Sequence, residues 1–270
     1  MASDPYDGFF DPDGPLWKVS RESLVYIPYP FPGEEERPVG EMRRWSIVAL
    51  CATAMAWMES ATVVYLRTLA GRIEPYQAEP LPIPVDLSQT ELVREAATLV
   101  MLLAVGGLAG RTWRSRLAYS LIAFGAWDML YYAFLAVIIG WPRSLLDWDV
   151  LFLIPLPWWG PVLSPMLIAA MMIVGGTLVA LHDEPHRPIW PSRRAWALNL
   201  IGVLLALYVF MADTIRALPG GIDATRAVLP TRFNWPLFIV ALILMAAPIV
   251  DVGRKIHRRN LAKALEPSQG

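Results

Sequence analysis

The pattern of apolar and polar positions along the chain is dominated by long unbroken apolar runs separated by short charged stretches. Six runs stand out, at Trp45–Leu66, Ala96–Gly110, Leu117–Ile139, Val162–Leu181, Ala195–Asp213 and Trp235–Val252. A bilayer core of about 30 Å takes roughly 20 apolar residues of helix, and lipid tolerates only structures that satisfy their own backbone groups. The runs are therefore expected to be membrane-spanning helices. A barrel would need short alternating segments separated by turns, which these runs are not. The second run is short unless its polar start, ELVREAAT, is helical too; Glu91, Glu95 and Thr98 then share one face at i, i+4 and i+7.

The pattern changes between the third and fourth runs. After Gly140 the stretch WPRSLLDWDVLFLIPLPWWGPVLSP stays apolar, yet Pro155, Pro157, Pro161 and Pro165 forbid a regular helix through it. Apolar, non-helical backbone at membrane depth needs protein or a water-filled cavity to satisfy it. Leu145–Pro161 is thus expected either to lie along the outer interface, where tryptophans gather in any case, or to dip into the bundle as a re-entrant segment.

Composition supports the same class. Of 270 residues, 56% are hydrophobic and only 17% charged, too apolar for an ordinary soluble domain. The expected fold is all-α: a polytopic integral membrane protein with six transmembrane helices at 45–253 and a Pro/Trp-rich segment before the fourth. An acidic arm rich in proline and aromatics precedes it at 1–44, and a basic tail follows at 254–270.

Charge adds an orientation. Arg43, Arg44, Arg111, Arg114, Arg116, Arg187, Arg193 and Arg194 collect with the basic tail on one side of the six runs, while the arginines of the other side are scattered among acids. The positive-inside rule then puts both termini in the cytoplasm, at the inner membrane. The arm begins neither basic nor apolar and so is not a signal peptide. Its plain reading is a flexible tail; its LVYIPYPFP stretch could also serve as a stiff strap against a membrane-protein partner or the protein's own inner face.

Some chemistry is excluded. The single cysteine, Cys51, permits neither an internal disulfide nor a thiolate cluster, and His182, His186 and His257 fall outside the apolar runs, away from any haem held between helices. His182 and His186 have metal-ligand spacing, but the intervening DEP ends the helix and favours a solvated loop. No G-x-S-x-G, H-E-x-x-H or Walker pattern supplies a nucleophile or a metal. The catalytic residues are unassigned, and neither a cofactor nor nucleic acid is expected; the lipid bilayer is the expected partner.

What the chain does offer is charge inside its apolar runs. Asp128 lies about 16 Å into the third run at 1.5 Å per residue, near the membrane midplane. Its own helical face carries Phe124 and Gly125 on one side, Tyr131 and Tyr132 on the other. A charge at that depth costs about 2.5–3.5 kcal/mol on insertion scales, so Asp128 should face other helices. Glu59 in the first run with Arg67 just past it, Glu91, Arg94 and Glu95 in the polar start of the second, Asp213 at the end of the fifth, and Arg143, Asp147 and Asp149 in the loop belong to the same outer half.

These residues allow two arrangements. Buried ion pairs, such as Glu59 with Arg67 or Glu95 with Arg94, would lock the bundle. Alternatively they line an outward-facing polar cavity roofed by the proline–tryptophan segment, which would bind or transport a cation or small polar solute. A lipid-modifying membrane enzyme and a non-catalytic subunit of a larger membrane complex are the alternatives.

Overall fold

The structure is a computed structural model, and it describes residues 38–72, 74–76, 85–153, 156–184, 186–226 and 228–265. The strap LVYIPYPFP lies outside the described residues. Eight α-helices and a two-stranded hairpin are described: α1 Pro38–Leu69, α2 Val85–Ala109, α3 Trp113–Ile139, β1 Trp148–Phe152, β2 Trp158–Pro161, α4 Leu163–His182, α5 Arg193–Ala217, α6 Gly221–Arg226, α7 Trp235–Met245 and α8 Ala247–Leu265. Six helical stretches are long and apolar enough to cross a membrane, and they fall on the six runs expected from the sequence.

The boundaries differ in informative ways. α1 starts at Pro38, inside the segment assigned to the arm, because proline is at home in a helix's first turn and Glu41 there pairs with Arg44 at 3.1 Å. α2 does absorb ELVREAAT. The sixth run is two helices, broken at Ala246: Pro248 has no N–H to give the Leu244 carbonyl, and Asn199 of α5 donates its Nδ2 to the Met245 carbonyl at 3.1 Å. α8 then continues through most of the basic tail. α3 opens on a reciprocal cap between Thr112 and Ser115 and closes at Gly140, whose φ of 67° is left-handed.

α3 is the central helix, packed on α1, α2 and α4, while α5 packs on α7 and on α8, which also touches α4. The α3–α4 approach depends on glycine: a β-carbon at Gly125 would stand 2.5 Å from the Ala169 carbonyl oxygen, and one at Gly176 would stand 2.6 Å from that of Ala118. One core joins Val48, Ala52 and Ala56 of α1 to Tyr119 and Ile122 of α3 and Val252 of α8. A second, aromatic core gathers Phe210, Phe233 and Phe238 around α5 and α7.

The expectation of an all-α chain needs one correction. The segment Leu145–Pro161 is not merely irregular; it contains an antiparallel pair, with Trp148 opposite Pro161, Asp149 opposite Gly160 and Val150 opposite Trp159. Proline cannot continue a helix but is tolerated at a strand end, and the ladder pairs backbone groups that would otherwise be orphaned. The hairpin is pinned on four sides. Arg67 of α1 reaches Asp149 at 3.1 Å, Glu95 of α2 accepts from the Leu153 amide at 3.1 Å, Ser164 of α4 donates to the Pro161 carbonyl at 2.6 Å, and Thr214 of α5 donates to the Pro157 carbonyl at 2.8 Å.

Candidate functional site

Under the hairpin is a cavity of about 330 Å³ walled by α1, α2, α3 and the hairpin itself. Glu59, Arg67, Glu91, Arg94, Glu95, Asp128, Tyr131, Tyr132 and Asp149 all line it. Their convergence follows from helix geometry. Glu91, Arg94, Glu95 and Thr98 occupy one face of α2 at i, i+3, i+4 and i+7, and Asp128, Tyr131 and Tyr132 occupy one face of α3. Arg143, Asp147 and Asp213 do not line it. Arg143 pairs with Glu74 at 3.0 Å, Asp147 accepts from the backbone amides of Arg143 and Ser144 in its own turn, and Asp213 holds Arg216 and Thr231.

Most of the charge is already engaged. Arg94 bridges Glu59 and Glu91, tying α2 to α1, so the ion pairs expected between Glu59 and Arg67 and between Glu95 and Arg94 are replaced by others. A pairing between helices depends on which faces meet, whereas spacing along one helix fixes only neighbours. Arg67 sits with its Cζ 4.1 Å above the Trp141 ring and reaches Asp149, whose side chain is 4% exposed. Burial pushes the Asp149 carboxyl above its ordinary range, while Arg67 and the Tyr132 hydroxyl pull it back.

Asp128 is the exception. It is 8% exposed, it lines the cavity, and its Oδ2 has no hydrogen-bond partner. Beside it, the indole N–H groups of Trp127 and Trp159 are also buried without a partner. Buried polar atoms are nearly always paired, so an acceptor and two donors left open around one cavity mark a place prepared for a ligand or for water. Five carboxylates face two guanidinium groups around the cavity, which biases it towards a ligand that brings positive charge or hydrogen-bond donors. Among the described residues no group of three or more His, Cys, Asp or Glu is arranged to hold a metal ion.

Trp127 and Trp159 were not among the residues expected to line a site. Trp127 had a legible signal, lying four residues before Tyr131 and stacking with it at a centroid distance of 6.3 Å. Trp159 belonged to the segment expected to roof the cavity, but no sequence period says which of two adjacent tryptophans points inward. Comparison with protein-family models, curated proteins and solved structures returns no match.

Proposed function

We propose that this is a multi-pass protein of the cytoplasmic (inner) membrane, with both termini inside, that binds a small polar solute carrying an ammonium or similar donor group in its outer half. Outward-facing apolar side chains on the long helices support the membrane reading: Leu50 is 70% exposed, Leu108 88% and Val137 80%, a surface suited to lipid rather than water. The arginine-rich loops favour the stated orientation.

The observation that carries the binding reading is the Asp128 carboxylate oxygen, buried and unpartnered in a cavity whose other charges are mostly paired. A resident ion-pair lattice alone would leave no such acceptor. Binding of methylammonium to the protein in lipid nanodiscs, measured by calorimetry, tests it. Wild type should bind, Asp128→Asn should not, and Asp213→Asn, outside the cavity, should bind as wild type does. Equal binding by wild type and Asp128→Asn would sink the reading. Because Cys51 is the single cysteine, a Cys51→Ser background with one cysteine added at either terminus reports sidedness by impermeant labelling.

A second reading, action on a lipid, is favoured by one observation: an apolar cleft opens beside the same aspartate.

A further inference from the structure

The polar cavity has a neighbour. A second cavity, of about 460 Å³, shares Asp128, Leu151 and Phe152 with it as a common wall and is otherwise lined almost wholly by apolar side chains. It exists because of how the helices pair. α4 packs on α3 and α8, α5 packs on α7 and α8, and residues of both α4 and α5 line the cavity.

Met172 of α4 and Val203 of α5 line its walls, and it runs from Trp158 beneath the hairpin to Trp190 and Trp196 at the arginine-rich end. Its α4 wall, from Pro165 to Val179, is about 21 Å long at 1.5 Å per residue. That is longer than one leaflet of a bilayer whose core is about 30 Å thick.

We infer that the two cavities hold a single molecule: an amphiphile with a donor head group, amine or hydroxyl, at Asp128 and one long hydrocarbon chain in the cleft between α4 and α5. The inference rests on the polar cavity being a ligand site and names the class of ligand. A small solute alone gives no reason for an apolar cavity that Asp128 also lines. A plain hydrocarbon gives no reason for an unpartnered carboxylate oxygen in the wall. A molecule that is polar at one end and apolar along its length accounts for both. The chain gains little hydrophobic free energy on leaving lipid tails for the cleft, so it is the head that selects the molecule, and the cleft that admits its tail.

The test uses hexadecylamine bearing a diazirine near its chain end, photolysed with the full-length protein in phosphatidylcholine nanodiscs, with labelled residues mapped by mass spectrometry. Labelling should concentrate at Met172 and Val203 and be suppressed by excess unlabelled hexadecylamine. Val203→Trp should lower it about tenfold, the effect expected of overfilling a packed site. Met172→Trp, on the opposite wall, should do the same, and circular dichroism confirms that both variants keep their helices. Leu204→Trp, on the outward face of α5, should change nothing. Asp128→Asn should lower cleft labelling as well.

Labelling spread equally over the lipid-facing Leu200 and Leu204, and indifferent to Val203→Trp, overturns the proposal: the cleft is then ordinary bilayer boundary. If wild type binds methylammonium yet the chain never labels the cleft, the polar site stands and the amphiphile falls. Cleft labelling that survives Asp128→Asn in a protein that does not bind methylammonium removes the head site, and the joined ligand with it.

Discussion

Among the buried aspartate side chains, those of Asp183 and Asp128 are opposites. Asp183, at the end of α4, has a fully buried side chain that accepts from Arg114 Nε at 2.7 Å, Thr112 Oγ1 at 2.7 Å and the Ile189 amide at 3.1 Å. It welds the α2–α3 turn to the loop after α4. Asp128, halfway along α3, is also buried but leaves Oδ2 unused in a cavity wall. Burial alone therefore says little about function. A buried carboxylate whose acceptors are all taken is part of the frame, and one with an acceptor to spare is a candidate for binding something else.

Mutation should separate the two sharply. The largest effect is expected from Asp183→Ala, which strands Arg114 beside two orphaned donors: about 3–5 kcal/mol of stability, read by unfolding in detergent micelles. A loss below about 1 kcal/mol would erase the contrast. Next comes Arg94→Ala, which leaves Glu59 and Glu91 facing each other and should cost roughly 2–3 kcal/mol. Adding Glu59→Gln to that variant should recover part of the loss, since the two positions are coupled. Asp128→Asn should change stability by no more than about 1 kcal/mol in either direction, because no protein partner is lost, while abolishing methylammonium binding. The smallest effect belongs to Arg216→Ala, an exposed pair with Asp213, at about 0.5 kcal/mol or less in the same unfolding assay. Reversal of the first and third results would make Asp128 the structural residue.

Much of this was legible along the chain. Length and apolarity located the six long apolar helices, and the i, i+3, i+4 spacing around Glu91 and Asp128 brought the right faces of α2 and α3 to one level. The prolines of the stretch before α4 announced non-helical backbone, though not that Trp148–Phe152 and Trp158–Pro161 would pair, since pairing is decided by register between strands rather than by either strand alone. Interhelical partners were misassigned for the same kind of reason. Arg67 looks inward along its helix to Glu59, two turns away, but the rotation of α1 gives it to the hairpin. The cleft had no sequence signal, because it follows from how α4 and α5 each pack on other helices. Asp183 shows the reverse failure: it sits in a loop whose sequence, HDEPH, reads as solvated, and only the fold buries it.

The Arg67–Asp149 pair also imposes an order of assembly. A ribosome delivers Arg67 82 residues before its partner. On the proposed topology α1 is inserted with a guanidinium in its last turn, where the helix terminus suits a cation and water is within reach. Trp141 emerges first to cover it with an aromatic face, and Asp149 follows. Only when β2 has paired and Ser164 has closed on Pro161 is the roof complete. The polar cavity is thus roofed only after α3 and the start of α4 are made, and a nascent chain halted after α3 carries its polar residues in an open vestibule.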